Sequence, residues 1–359
     1  MDAALALARR GLGNTWPNPA VGCVIVKDGI VVGRGWTQQG GRPHAEAQAL
    51  ARAGSAAKGA TVYVTLEPCS HHGKTPPCAD ALIAAQVARV IVATGDPDTR
   101  VDGRGIAMLR NAGIAVEQGL CKEEADAINA GFFKRVREGK PLVTLKLAGS
   151  LDMRIATKTG ESKWITGDAA RARAHLIRAQ HDAIMVGSGT VLADDPSLDV
   201  RLPGFDNARK VRVVVDGRLR TPLTAKLVRT ARAQPSWIVH RPDAEKLRVA
   251  AFVESGVEML AVEPGPEGHA TPDAILKALA AKGVTRLMIE GGAHLAGAFL
   301  RAGAVDRLAI FRAGRVIGGD GLPAIAAFGV AELVKAPGFR LETLEIIGDD
   351  TLETWAKGY

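Results

Sequence analysis

The chain has 359 residues, 47% of them hydrophobic and 23% charged, with a net charge of +8 and four cysteines. Chains beyond about 250–300 residues tend to split, so two cores are expected rather than one. No apolar run reaches the roughly 20 residues that span a bilayer, and four cysteines in so long a chain do not make a disulfide framework. Met1 to Arg10 lacks the long apolar core of a secretory signal, which predicts a cytoplasmic protein with no membrane partner. The 46 basic residues are scattered rather than bunched into tails, which speaks against nucleic acid. A solvated basic surface or a phosphate-bearing small ligand suits that charge better.

Apolar alternation predicts strands at Ala20–Val26 and Ile30–Trp36 around a turn at Lys27–Gly29. A helix at His44–Ala53 follows, then a strand at Thr61–Thr65, a helix at Ala79–Gln86 and a strand at Arg89–Ala93. A Gly/Asp-rich loop, Thr94–Gly105, leads to a helix near Ile106–Asn111, a strand at Ile114–Glu117 and a helix at Lys122–Arg137. This order fits a three-layer α/β sandwich. Glu138–Pro141 reads as a linker, giving domains 1–140 and 141–359. Beyond it, Leu142–Leu147 opens a new apolar run. A helix at Asp168–Gln180, strands at Ala183–Val186, Val211–Asp216 and Ser236–His240, and αβ units at Ala244–Ala261, Pro272–Ile289 and Gly292–Ile310 follow. That alternation predicts a second, largely parallel sheet.

Three short pieces carry chemistry in the first half. His44-Ala45-Glu46 opens a helix, Glu67-Pro68-Cys69 ends a strand, and Cys78 starts the next helix. One imidazole and two thiolates are a zinc donor set that leaves one corner of the tetrahedron for water. Zinc lowers the pKa of coordinated water toward roughly 7. Glu46, two residues from His44, is placed to shuttle protons as general acid and base. H-x-E followed by P-C-x-x-C marks zinc nucleobase deaminases; here the second cysteine comes nine positions after the first, so the general pattern is partly met.

The insertion between those cysteines points to a family. Pro68-Cys69-Ser70-His71-His72-Gly73-Lys74-Thr75-Pro76-Pro77-Cys78 resembles the bifunctional deaminase–reductase of riboflavin biosynthesis, and Thr15-Trp16-Pro17-Asn18-Pro19-Ala20-Val21-Gly22 looks like that family's substrate loop. In the second half, Lys146–Asp152, Gly160–Gly167, Gly189–Pro196 and Glu290-Gly291-Gly292 are similar to its reductase motifs. The resemblance implies a cytidine-deaminase-like domain with Zn2+, followed by a dihydrofolate-reductase-like domain with NADPH. It also implies two reactions on one phosphoribosylated pyrimidine: hydrolytic loss of the 2-amino group, then reduction of the ribosyl to a ribityl chain. Where the family usually has Gly after Ser-Leu-Asp, this chain has Met153. A usual His before the H-A-E motif is Thr37, and Arg315–Gly319 matches the C-terminal motif poorly.

Carried over residue by residue, the resemblance implies cofactor contacts at Ala148, Trp164, Thr190, Asp194, Gly292, Ala293 and His294. It implies substrate contacts at Asn18, Ser162, Arg178, Leu198, Arg201 and Glu290, with His71, His72 and Lys74 near a phosphate. Part of this agrees with chemistry: glycines at Gly187–Gly189 and Gly291–Gly292 allow close backbone approach to a pyrophosphate, and guanidinium groups bind phosphate oxygens. No G-x-G-x-x-G follows a predicted strand, so a Rossmann domain is not supported. Arg178 reads equally as a surface charge, Arg201 is the stronger phosphate candidate, and Trp164 reads also as core. Two rival functions are a nucleic-acid-editing zinc deaminase and a non-catalytic zinc-stabilised binding protein. Self-association into a homo-oligomer stays open.

Overall fold

Alternation along Gly22–Lys27 (β1) sends Cys23 and Ile25 to one face of the first sheet and Val24 to the other, and both faces are covered. The computed structural model describes residues 1–71, 76–205 and 208–358 and divides into two compact units, Met1–Lys140 and Pro141–Tyr359. In the first unit β1 pairs antiparallel with Ile30–Trp36 (β2) and with Thr61–Val64 (β3); Arg89–Val92 (β4) and Ala115–Gln118 (β5) continue in parallel, giving the order β2-β1-β3-β4-β5. The helices are Asp2–Arg9 (α1), Ala45–Ala53 (α2), Cys78–Ala84 (α3), Arg104–Asn111 (α4) and Lys122–Glu138 (α5). The alanines of α2 pack with Cys23 and Ile25, whereas Ala4 and Leu7 of α1 pack on Val24.

Glycine lets these helices come close. A Cβ at Gly35 would stand 2.2 Å from the carbonyl oxygen of Ala45, in the first turn of α2. Real side chains never approach so near, so Gly35 sets the depth at which α2, and with it His44, meets the sheet. Helix α1 is absent from the predicted elements because its short Ala/Leu run carries no side-chain cap to announce it.

The second unit contains Leu142–Ser150 (β6), Arg154–Ala156 (β7), Ala183–Gly187 (β8), Val211–Val215 (β9), Ser236–His240 (β10), Glu258–Ala261 (β11), Arg286–Glu290 (β12), Arg307–Ala313 (β13), Leu322–Pro323 (β14), Phe339–Ile347 (β15) and Asp350–Lys357 (β16). Its helices are Asp168–Ala179 (α6), Ser188–Asp194 (α7), Lys226–Arg229 (α8), Lys246–Glu254 (α9), Pro272–Ala281 (α10) and Ala293–Arg301 (α11). The nine-stranded sheet runs β11-β10-β9-β8-β12-β6-β13-β16-β15. Its first seven strands are parallel, and near-continuous Val/Ile/Leu/Met runs in β8, β9 and β12 suit strands covered on both faces. The antiparallel hairpin β15–β16 closing the sheet was not among the predicted elements, although Phe339–Ile347 carries much of the required alternation. Among the described residues, no helix is long and apolar enough to cross a membrane.

Candidate active sites

In the first unit, His44 is the residue capping α2 and Cys78 is the first residue of α3, while Cys69 follows β3 in the loop between them. The His44 Nδ1 lies 3.3 Å from the Cys78 Sγ and 3.6 Å from the Cys69 Sγ. All three donor atoms fall within 4.8 Å of one another. Zn–S and Zn–N bonds of about 2.3 and 2.0 Å at tetrahedral angles require N···S edges of about 3.5 Å. The donor set therefore fits zinc in both chemistry and spacing. Hydrogen bonding from Cys78 and His44 pulls the Cys69 thiol down to about 4 against the effect of burial, and the Cys69 bond together with burial raises Cys78.

Glu46 sits on the first turn of α2, only 4% exposed, and hydrogen-bonds with Cys78. Burial and the adjacent Cys69 charge lift its carboxyl to about 7. Asn18 comes in from the preceding loop and lies against Gly41, where a Cβ would overlap its amide, just upstream of His44. His71 is half-buried beside the Cys69 loop, and His72 and Lys74 lie outside the described residues. Thr37, in place of the expected His, accepts a hydrogen bond from the Val21 amide and so braces β1.

Glu67 has no assigned role in the sequence reading, yet it organises the loop beside the cysteines. Its carboxylate is buried and accepts from the backbone amides of Gly103, Gly105 and Ile106, with a longer contact to Asp96. The only advance signal was an acidic residue next to Pro68-Cys69 at the end of a strand.

In the second unit every reductase residue named from the sequence lines one cleft of about 1800 Å³ at the C-terminal ends of the parallel strands. Ala148 comes from β6, Arg178 from α6, Thr190 and Asp194 from α7, Glu290 from β12, and Ala293 and His294 from α11. Gly291 and Gly292 both have φ near +88°, and a Cβ on either would approach Thr190 Oγ1 to 3.5 Å. The two glycine loops thus face each other, with backbone accessible between them, as a dinucleotide pyrophosphate requires. Ser162, Leu198 and Arg201 complete the wall.

Arg178 is no surface charge. Its Nε and Nη2 donate to Glu290 at 2.6 and 2.5 Å, and its Nη1 donates to the Asp199 carbonyl. Burial alone would raise the Glu290 carboxyl, but the paired Arg178 and nearby Lys146 hold it at about 2. Arg201 is the more exposed of the two arginines and lies beside His175 and Asp199. Trp164 is 62% exposed with the Arg171 guanidinium over its ring, which excludes a core role. Met153 has φ +55°, the left-handed region where glycine is at home. The preceding Asp152 accepts from Ser150 and from the amides of Ile317 and Gly318, tying down the poorly matched Arg315–Gly319 segment.

A nitrogen–sulfur donor triangle on the α/β sandwich of one unit and a nucleotide-sized cleft in the other define a two-domain enzyme of the zinc deaminase and reductase class. Comparison with known proteins agrees. Residues 1–94 match the cytidine and deoxycytidylate deaminase zinc-binding region, and residues 141–352 match the RibD C-terminal domain. The chain is 44% identical to the riboflavin biosynthesis protein RibD of Escherichia coli, covering 98% of this chain and 96% of that one. It is 42% identical to the RibD of Aquifex aeolicus, covering 98% and 95%. Among solved structures it resembles Acinetobacter baumannii RibD (TM-score 0.89, 39% identity, 99% and 97% covered). It also resembles the diaminohydroxyphosphoribosylaminopyrimidine deaminase/5-amino-6-(5-phosphoribosylamino)uracil reductase of Thermotoga maritima (TM-score 0.87, 33% identity, 100% and 97% covered). The chain belongs to the RibD family, the bifunctional deaminase/reductases of riboflavin biosynthesis, with zinc and NADPH as cofactors.

Proposed function

We propose that residues 1–140 deaminate 2,5-diamino-6-(5-phosphoribosylamino)pyrimidin-4-one and that residues 141–359 reduce the ribosyl group of the deaminated product. The reading rests on the coexistence in one chain of the His44–Cys69–Cys78 triangle, backed by buried Glu46, and the glycine-walled cleft of the second unit. Zinc, held by those three donors, supplies an activated water. Glu46 would carry two protons at its carboxylate oxygens: one taken from the attacking water and delivered to the ring nitrogen as the C–O bond forms, and one taken from the new C2 hydroxyl and delivered to the amino group, which leaves as ammonia when the C–N bond breaks. Asn18, next to the start of α2, hydrogen-bonds the pyrimidine edge.

In the reductase unit NADPH supplies the hydride to the sugar C1′. The glycine loops around Thr190 would hold its pyrophosphate, with Ala148, Trp164 and Asp194 of the same cleft as further contacts. Glu290, fixed by Arg178, accepts hydrogen bonds from substrate hydroxyls or ring N–H groups, while Ser162 and Arg201 meet the phosphate. Cysteines outside any disulfide, two of them placed as zinc ligands, support a reducing, cytoplasmic setting.

The test is a coupled assay on purified chain with the phosphoribosylated diaminopyrimidine and NADPH, following ammonia and reduced-nicotinamide absorbance together. Ammonia release followed by NADPH consumption is expected. Ammonia without NADPH loss would remove the reductase assignment, and no ammonia from zinc-loaded protein would remove the substrate.

A further inference from the structure

Helix α6 holds the segment Asp199–Arg201 at two points. Arg178 Nη1 donates to the Asp199 carbonyl at 2.9 Å, and the Arg201 amide donates to His175 Nδ1 at 3.2 Å. His175 and Arg178 lie three residues apart on the helix and share one of its faces. The Arg201 side chain then returns to the same imidazole, with its Nη2 3.5 Å from the His175 Nε2. A neutral imidazole carries one N–H and one lone pair in the ring plane, so it cannot accept at both nitrogens. The backbone fixes the Arg201 amide, and Nδ1 accepts it. Nε2 therefore holds the ring proton and faces a second donor, the guanidinium. Burial, with the charges of Arg178 and Arg201, lowers the His175 pKa against the pull of Glu290 and Asp199, which keeps the ring neutral near pH 7.

Asp199 Oδ1 stands 3.5 Å from Arg201 Nε, and among the described residues no oxygen accepts from Arg201 Nη2 or His175 Nε2. Arg201 lines the cleft and its side chain is largely exposed. Two N–H groups at that separation leave room for one oxygen about 2.9 Å from each. We propose that His175 is a second phosphate donor of the reductase site: its Nε2–H and the Arg201 Nη2–H converge on one oxygen of the substrate's phosphate monoester, while its Nδ1 fixes the Arg201 backbone. The inference rests on the reading that Arg201 meets that phosphate. An anionic oxygen turns an unfavourable contact between two donors into two hydrogen bonds, one of them assisted by charge on both partners. A substrate without the phosphate leaves the two donors facing each other. The pair thus selects phosphorylated over free ribosyl compounds.

The test follows NADPH consumption by the zinc-loaded full chain with the deaminated phosphoribosyl substrate and with the same compound lacking its phosphate. His175→Leu should raise KM for the phosphorylated compound about tenfold to a hundredfold, with kcat and the KM of the phosphate-free compound within about twofold. His175→Gln, whose amide also offers an acceptor and a donor, should recover most of that loss. Equal changes for both compounds, no change for either, or no recovery by glutamine overturns the assignment. Arg201→Ala tests the underlying reading. An unchanged KM for the phosphorylated compound removes Arg201 from the phosphate and the proposal with it, whereas an effect of Arg201 without one of His175 removes His175 alone. A readout on the wild-type chain stands whether or not the leucine variant folds. With 15N-labelled histidine, the Nε2 signal that disappears in His175→Gln should shift on adding ribose 5-phosphate and stay in place on adding ribose. A signal that ignores both overturns the contact.

Discussion

The two catalytic units keep their chemistry in different places, and the difference decides how each can be read. The deaminase site is built from three short segments around the start of α2, the end of β3 and the start of α3, so each piece of chemistry is contiguous in sequence. The reductase cleft draws single residues from the C-terminal ends of β6, β8, β9, β10 and β12 and from the helices that follow. Metal ligation requires particular atoms at fixed distances, which restricts residue types severely. Dinucleotide binding relies largely on backbone amides and open space, which many sequences can supply.

The contrast is sharpest at Glu46. Glu46→Gln should keep one zinc per chain and lower deamination by about 10²- to 10⁴-fold, the usual yield of a positioned general acid/base. Reduction of already deaminated substrate should not change. Metal analysis and separate assays of the half-reactions check this, and wild-type deamination by the variant would remove Glu46 from the chemistry.

Arg178 offers the corresponding break in the second unit, through stability as well as binding. Arg178→Ala leaves Glu290 buried without its partner and should destabilise that unit by about 3–5 kcal/mol. Denaturant unfolding should show recovery of much of this loss in the Arg178→Ala/Glu290→Gln double variant; no recovery would mean that Arg178 acts through its Asp199 carbonyl bond instead.

The same pair gives the reductase unit an acid limb. Glu290 is held at about 2 in the folded chain, below its ordinary 4.5. A depressed carboxyl stabilises the fold fully above the unfolded value, and that stability drains away as pH falls from about 4.5 toward 2. Melting curves across this window should be less steeply pH-dependent in Glu290→Gln than in wild type, and parallel curves would count against the pair.

The smallest expected effect is at Met153, whose φ of +55° costs an L-residue what glycine avoids. Met153→Gly should raise stability by about 0.5–1 kcal/mol after the entropy glycine adds to the unfolded chain. A lower melting temperature would show that the Met153 side chain contributes packing that outweighs the backbone strain.

From the sequence alone came the two-domain plan, most strands and helices of the first unit to within a residue or two, the donor triangle and the glutamate two residues from its histidine. Those follow from local rules: period-2 and period-3.6 apolar patterns, turn residues, and a donor set too particular to arise often by chance. Resemblance to a family added the cleft residues, which no periodicity could have assembled. Only the tertiary structure showed Glu67 gathering the amides of Gly103, Gly105 and Ile106, and Arg178 buried on Glu290. Each of these depends on which side chain a neighbouring strand or loop presents, and on how much water that neighbour excludes. Such contacts join residues up to 112 positions apart, as between Arg178 and Glu290, and are decided by packing rather than by spacing along the chain.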